Sequence, residues 1–327
     1  MSVFEAVNPW LAFIICFAGV IVAGWRLTSN AEMFAEKKGF SRGAVGFTFL
    51  GVATSLPELI TTVSSVNIIG NPALGAGNIL GSDSANMFIL FFSLLTAETM
   101  RNKNRPDIGN IRSVSIFLAM LATLMFGMLL EGHPRIGGVS VYSAIILFLF
   151  VFSIVKLREK EDYEISESSK ESLPMGKFFY LKLAVFFTAL VFFSYELSLS
   201  VDTLASVNNW SNTAAGAVFL AWGTSLPELI VTVTAMAVGS LEMGVGNIIG
   251  SNIFNLGVLG FADTLSLGKF SVFSDTVNSL LLTALLFLMS AVLIYLLLSS
   301  RIKKIFGISF LPAIMMILYV LCIAGVF

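Results

Sequence analysis

The chain has 327 residues, 57% of them hydrophobic and 12% charged, with a formal net charge of -1 at pH 7. A soluble domain carries about 25% charged and about 45–50% apolar residues, so water is excluded as the solvent for most of this surface and lipid is implied. Charge here is sorted by position rather than summed, and no nucleic-acid partner is expected.

A helix needs about 20 apolar residues to cross a bilayer. In chain order, windows of that kind fall near residues 9–28, 44–69, 73–98, 113–130, 137–156, 178–201, 213–239, 243–265, 276–298 and 306–326. No Lys or Arg precedes the first window and no small-residue cleavage site follows it, so it reads as a retained helix and not as a signal peptide. Cys16 and Cys322 each sit inside an apolar run and are expected to be free thiols. Gly, Pro, Ser and Asn interrupt the second, third, seventh and eighth windows.

The connections between windows sort the basic residues. Odd-numbered connections hold 17 of the 19 Lys and Arg residues, and only Arg135 and Lys269 fall on the other side. Under the positive-inside rule the odd connections face the cytoplasm. The expectation is a multi-pass protein of the plasma membrane with both termini outside. Residues 157–177 are polar, with six acidic residues among lysines and serines, and read as a flexible cytoplasmic linker. The predicted organisation is a first five-helix repeat over 1–156, the linker over 157–177 and a second five-helix repeat over 178–327.

An internal repeat supports that division. Thr54-Ser55-Leu56-Pro57-Glu58-Leu59-Ile60 recurs unchanged as Thr224-Ser225-Leu226-Pro227-Glu228-Leu229-Ile230. Gly77-Asn78-Ile79-Leu80-Gly81-Ser82 recurs as Gly246-Asn247-Ile248-Ile249-Gly250-Ser251. The second window pairs with the seventh, five crossings later, and an odd shift reverses direction in the membrane. The predicted fold is therefore all-α, with ten transmembrane helices as two inverted-topology repeats of five, an architecture of secondary transporters.

Glu58 and Glu228 carry the chemistry of the motif. A carboxylate at mid-membrane costs about 2.5–3.5 kcal/mol on insertion scales, and no window places a basic residue at comparable depth. Two such carboxylates, symmetrically placed, point to a cation site. Pro57 and Pro227 remove a backbone donor just before each glutamate and break the helix there. Irregular backbone survives in a membrane where it lines protein or a cavity. Thr54, Ser55, Thr224 and Ser225 add hydroxyl oxygens on the same turn, and hard oxygen ligands of this kind suit Ca²⁺. The alternative for any one hydroxyl is a bond back to its own helical carbonyl.

In the third and eighth windows Asn78, Ser82 and Asn86, and Asn247, Ser251 and Asn255, fall at i, i+4 and i+8 and share one face. Gly77 with Gly81, and Gly246 with Gly250, have the spacing that lets helices approach closely. Asp83 follows Ser82 where the second repeat has Asn252. One residue is about 100° around a helix, so Asp83 is expected to face away from the site. Glu98, Asp202, Glu242 and Asp263 lie near predicted helix ends, where interface water solvates them; Glu196 is set deeper.

These paired blocks resemble the calcium/cation antiporter superfamily, in particular the prokaryotic sodium/calcium exchangers. The resemblance runs through residues 44–98 and 213–265. It implies a site between the second, third, seventh and eighth helices, with the first and sixth sliding as a gate for alternating access. By position, it implies Glu58 and Glu228 as shared ligands of Ca²⁺ and Na⁺, Thr54, Thr224, Ser55, Ser225, Ser82 and Ser251 at flanking sites, and Asn86 and Asn255 completing the centre. Asn at both central positions leaves two formal negative charges, matching one Ca²⁺ or two Na⁺, and by analogy argues against potassium dependence.

The expected function is Na⁺/Ca²⁺ antiport by a monomeric unit in a lipid bilayer, with no cofactor beyond the transported ions and no enzymatic activity. An H⁺/Ca²⁺ antiporter would use the same glutamates, and a passive cation channel is the alternative of a different class. An intramembrane hydrolase would need a nucleophile and base that the Pro-Glu context does not supply.

Overall fold

A computed structural model of the chain describes residues 7–37, 55–96, 108–130, 134–161, 178–237, 241–269, 271–273, 277–299, 304–305 and 308–326. The elements in chain order begin with α1 (Pro9–Lys37), α2 (Leu56–Val63, continuing as a π-helical turn over Ser64–Ile69), α3 (Pro72–Thr96) and α4 (Ile108–Leu129). A short hairpin of β1 (Arg135–Ile136) and β2 (Val139–Ser140) leads into α5 (Val141–Glu161), and α6 (Phe179–Asn208) follows. The next segment is broken into α7 (Asn212–Ala215), a π-helical turn over Gly216–Leu220, α8 (Ala221–Thr224) and α9 (Leu226–Ala237). The chain ends with α10 (Leu241–Leu265), α11 (Val277–Leu298), a hairpin of β3 (Lys304–Ile305) and β4 (Ile308–Ser309), and α12 (Phe310–Val326).

This is a helical membrane protein. Among the described residues six stretches are long and apolar enough to cross a bilayer: Pro9–Arg26, Pro72–Leu95, Gly109–Leu129, Phe179–Asn208, Gly244–Leu265 and Val277–Leu298. Leu56–Ile69, Val141–Val155 and Phe310–Val326 are shorter apolar helices. Each described helix overlaps one of the windows read from the sequence. α1 and α6 run past the expected ends, to Lys37 and Asn208, because apolarity marks the lipid-facing stretch and not the end of the hydrogen-bond ladder. Cys16 and Cys322 are free, as expected.

Burial divides the helices. α3 and α10 are enclosed along most of their length, whereas α1 exposes most of its apolar stretch. The main core joins α3, α4, α10 and α11 through side chains such as Phe91, Phe117, Leu124, Ile253 and Leu286. A second apolar cluster joins α1 to α6 through Cys16, Val20, Leu190, Leu197 and Val201, and meets the rest of the protein at Leu74, Ala215 and Leu220. The α1–α6 pair thus packs chiefly on itself and leans on the remaining helices through a small apolar seam.

Two breaks have the same local geometry. Ser55 precedes α2 with φ -90° and ψ 9°, and Ser225 separates α8 from α9 with φ -87° and ψ 7°. Both sit in the bridge region rather than the helical one, each two residues before the proline that cannot donate to a preceding carbonyl. Identical sequence has produced near-identical backbone in both halves.

Glycine sets the approach of α3 to the second break. A Cβ at Gly81 would stand 2.6 Å from the Ala217 carbonyl oxygen and closer still to its Cα, and one at Gly77 would meet the Thr213 backbone. From the other side, a Cβ at Gly216 would lie 2.8 Å from the amide nitrogen of Asn78. These are backbone obstacles, which yield only if a helix moves. Gly81→Ala is expected to destabilise the fold by about 1–3 kcal/mol through overpacking, read as a lower apparent melting temperature of the detergent-purified protein.

Candidate cation-binding site

The two breaks and the two most enclosed helices bring one polar cluster together inside an apolar protein. Ser55 and Glu58 come from the start of α2, Thr224 from the end of α8, and Ser225 and Glu228 from the junction with α9. α3 supplies Ser82 and Asn86, and α10 supplies Ser251 and Asn255. All nine are buried, none more than 2% exposed. Thr54, the tenth expected ligand, lies outside the described residues.

Contacts within the cluster cross between the halves of the chain. The Ser55 hydroxyl donates to Glu228 Oε1 at 3.2 Å, and the Ser82 and Thr224 hydroxyl oxygens are 3.3 Å apart. Thr224 lies beside the Glu58 carboxyl, which is also within electrostatic reach of Glu228. Neither carboxyl oxygen of Glu58 has a hydrogen-bond partner, and the hydroxyls of Ser225 and Ser251 have none. Arg135 pairs with Asp263 at 4.0 Å, and neither residue belongs to this cluster. A buried carboxyl with both oxygens unmatched is costly, and the deficit is one that a bound cation or a proton removes.

Thr224 also follows the bland alternative, since its hydroxyl lies 3.2 Å from both the Leu220 and Ala221 carbonyls. The two readings are compatible: donating the hydrogen backward leaves the oxygen lone pairs facing the cluster. Asn78 and Asn247 do differ from expectation. The Asn78 amide donates to Thr61 Oγ1 at 2.8 Å and Thr62 Oγ1 at 2.9 Å, and the Asn247 amide donates to Thr232 Oγ1 at 3.0 Å. Their donor ends therefore clamp α2 to α3 and α9 to α10, holding each broken helix against its continuous neighbour.

Asp83 is a correction. It does not face away: it is fully buried, its Oδ1 accepts from the Asn255 amide at 2.9 Å, and it lies within electrostatic reach of both Glu58 and Glu228. Its backbone oxygen accepts from the Asn252 amide at 3.3 Å, and the Asn86 amide donates to Asn252 Oδ1 at 2.9 Å. The 100° step was measured from Ser82 alone. Asp83 is also three residues from Asn86, about 60° around the helix, and that spacing was the available signal. The polar cluster therefore holds three carboxyl groups, not the two expected.

Other acidic residues divide. Glu196 is buried in α6, as its depth suggested. Asp263 is not solvated at a helix end: it is buried and accepts from Ser143 Oγ at 2.7 Å and the Val272 amide at 3.2 Å. Asp202 accepts from Asn71 Nδ2 at 2.6 Å, tying α6 to the start of α3.

α1 reaches both breaks, which the sequence alone did not indicate. A Cβ at Gly223 would lie 2.8 Å from the Phe17 ring, and the space at Gly24 is bounded by Pro57 Cγ at 3.7 Å. Behind the second break, Trp222 Nε1 donates to the Tyr319 hydroxyl at 3.1 Å, anchoring α8 to α12.

The family model described as sodium/calcium exchanger protein matches residues 8–156 and 178–327. An uncharacterized membrane protein of Methanocaldococcus jannaschii, MJ0091, is 28% identical, with 90% of each chain covered. The sodium/calcium exchanger MaX1 of Methanosarcina acetivorans is 26% identical over 76% of this chain and 81% of its own. Among solved structures, the sodium-calcium exchanger NCX_Mj soaked with 10 mM Na⁺ and zero Ca²⁺ superposes with a TM-score of 0.62 at 21% identity, covering 97% of this chain and 99% of that one. At that identity the likeness is one of fold.

The amide clamps give a graded expectation. Asn78→Ala removes two donors and Asn247→Ala one, and a buried hydrogen bond lost from one side costs about 1–3 kcal/mol. The first substitution is expected to lower the thermal unfolding temperature more than the second.

Proposed function

The chain belongs to the sodium/calcium exchanger family, a family of membrane transporters, and from that premise we propose that it is a secondary active antiporter exchanging Na⁺ for Ca²⁺ by alternating access. The single observation that carries this reading is the buried glutamate pair from two identical broken helices, with Glu58 unpartnered and hydroxyl oxygens packed between. Carboxylate and hydroxyl oxygens form the hard donor set that Ca²⁺ takes in coordination of six to eight, and Na⁺ accepts the same atoms.

The residue roles follow from position. Glu58 and Glu228 are the ligands shared by the two ions. Ser55, Thr224, Ser225, Ser82 and Ser251 supply flanking hydroxyls, with Thr54 assigned beside them from its motif, and Asn86 and Asn255 close the centre. No resident cofactor enters this scheme. The protein acts within the bilayer as a single chain.

The topology proposed is ten crossings in two inverted repeats, over 1–156 and 178–327, joined by a cytoplasmic linker over 157–177, with both termini outside the plasma membrane. Its supports are the duplicated motif, the matching backbone at Ser55 and Ser225, and the two stretches matched by the family model. α1 and α6 form the gate. Their pairing through a separate apolar cluster lets them move together, and the contacts of α1 with Pro57 and Gly223 let that movement cover one side of the site or the other.

Neutralisation couples the gate to its cargo. One Ca²⁺ or two Na⁺ cancel the charge of the glutamate pair, so a loaded site is carried past the apolar seam without exposed charge. An empty site retains the buried charge of both carboxylates, which is costly, and this opposes a leak. A site that holds divalent ions this firmly is unsuited to rapid passive flow.

In proteoliposomes loaded with Na⁺, Ca²⁺ uptake is expected, and Glu58→Gln and Glu228→Gln are each expected to reduce it to background. Uptake driven equally well by an outward proton gradient without internal Na⁺ would replace Na⁺ with H⁺ as the coupling ion. Uptake that needs no counter-ion would overturn antiport altogether.

A further inference from the structure

We propose that the hydrogen bond between Asp202 of α6 and Asn71, at the start of α3, is a latch that holds the α1–α6 pair in the conformation described above. The proposal rests on the reading of that pair as a gate for its role in transport, though not for its effect on the movement of α6.

α6 presents two adjoining faces. Leu190, Leu197, Val201 and Ala205 belong to the apolar cluster shared with Cys16 and Val20 of α1. Ser194, Ser198 and Asp202 fall at i, i+4 and i+8 and form a polar row along the flank of that stripe. Ser194 and Ser198 are fully buried, and the row meets α2 where the Ser198 hydroxyl lies 3.4 Å from the Thr61 carbonyl oxygen. That contact is at the limit of a hydrogen bond, and the same hydroxyl lies closer, at 3.0 Å, to the Ser194 carbonyl of its own helix. Ser200, Thr203 and Ser206 likewise return their hydroxyls to α6 carbonyls. Hydroxyls spent inside their own helix leave α6 free to shift along α2. Asp202 ends the row differently, accepting from Asn71 Nδ2 at 2.6 Å. A carboxylate that accepts from an amide makes a short, charge-assisted bond, roughly twice as strong as a neutral one.

Asn71 is fixed in direction. Its Oδ1 accepts from the Leu74 amide at 3.1 Å and so caps α3. A backbone amide only donates, so the nitrogen end of the side chain is the one left for Asp202. The Asn71 amide donates to the Ser65 carbonyl at 2.8 Å, and its carbonyl accepts from the Gly75 amide at 3.3 Å. Gly70 before it has φ 79°, in the region open to glycine. The α3 that Asn71 caps is enclosed along most of its length and stands against the backbone of Thr213 and Ala217.

One partner of the bond therefore belongs to the fixed body and the other to the helix that moves. A slide of α6 past α2 must break it, whereas the apolar contacts with α1 travel along. The repeat carries the same feature in sequence: Glu58 and Glu228 are 170 residues apart (228 − 58), and the same step leads from Glu32 in α1 to Asp202. An acid thus stands at the corresponding position of both gate helices.

The test reads the α2–α6 seam through the labelling of a cysteine. Full-length protein with Cys16→Ala and Cys322→Ala, in lipid nanodiscs, carries Ser198→Cys as the reporter. A separate preparation carries Ser290→Cys, at a buried position of α11 away from the gate. The rate of reaction with a charged methanethiosulfonate is measured for each. Asp202→Ala is expected to raise the rate at Ser198→Cys about tenfold, the scale of one hydrogen bond to a charged group, and to leave Ser290→Cys unchanged. Asn71→Ser keeps a cap for α3 but is too short to reach Asp202, and the same rise is expected. The two substitutions together are expected to act no more strongly than either, because both remove one bond. An unchanged rate at Ser198→Cys, an equal rise at both reporters, or a combined effect that is the product of the two overturns the latch. Should Asp202→Ala fail to fold, Asn71→Ser decides alone. Failure of the antiporter reading shows separately, as absence of Na⁺-driven Ca²⁺ uptake by the unaltered protein with the labelling contrast intact.

Discussion

Everything distinctive about this protein follows from burying carboxyl groups in the interior of an apolar protein. Glu58 is fully enclosed with both oxygens unmatched, in a chain whose solvent is lipid. Such a group costs about 2.5–3.5 kcal/mol or more at the bilayer centre, and the fold must supply that from elsewhere. It does so with two apolar clusters that leave the polar centre between them. A conformation in which the Glu58 carboxyl is unmatched carries that cost, and a bound cation or a proton relieves it.

Broken helices are the device that makes the burial structurally tolerable. Ser55 and Ser225 depart from helical geometry within a few degrees of each other, and the threonines around them add hydrogen bonds to nearby helical carbonyls. Thr61 donates to the Pro57 carbonyl at 2.8 Å, and Thr224 serves Leu220 and Ala221. A hydroxyl used in this way satisfies backbone with its hydrogen and still offers lone pairs to an ion. The asparagines one helix away then hold the broken pieces in place. Each polar residue of the motif is thus employed twice, once for the backbone or a neighbouring helix and once toward the centre.

Much of this was legible in the sequence, for a physical reason. Bilayer thickness sets the length of an apolar run, so every described helix overlaps an apolar window, and a seven-residue repeat around Pro-Glu announces the two matching turns at Ser55 and Ser225. What was not legible depends on how helices are enclosed. The single-face rule suits a helix with one wet or ligand-lined side, but α3 is buried on nearly every side, so that Asp83 and Ser82, about 100° apart, both meet polar neighbours. Nor could sequence spacing show that Asn78 and Asn247 turn their nitrogens to threonines on the adjoining helix. Nor could it show that the space beside Gly223 is taken by the Phe17 ring.

The departure from symmetry at Asp83 shows what duplication leaves free to change. Two copies of one motif, facing each other in opposite directions, enforce equal geometry at equivalent positions, as the paired 2.9 Å contacts show. Packing therefore constrains the shape of residues 83 and 252 together, while their charge is constrained only by what the centre must hold. An amide-to-carboxyl exchange satisfies the first constraint and alters the second by a whole unit. That exchange alters the charge buried at the centre without rebuilding a helix. The glutamates, by contrast, are the same residue at both copies, and both are buried at the centre.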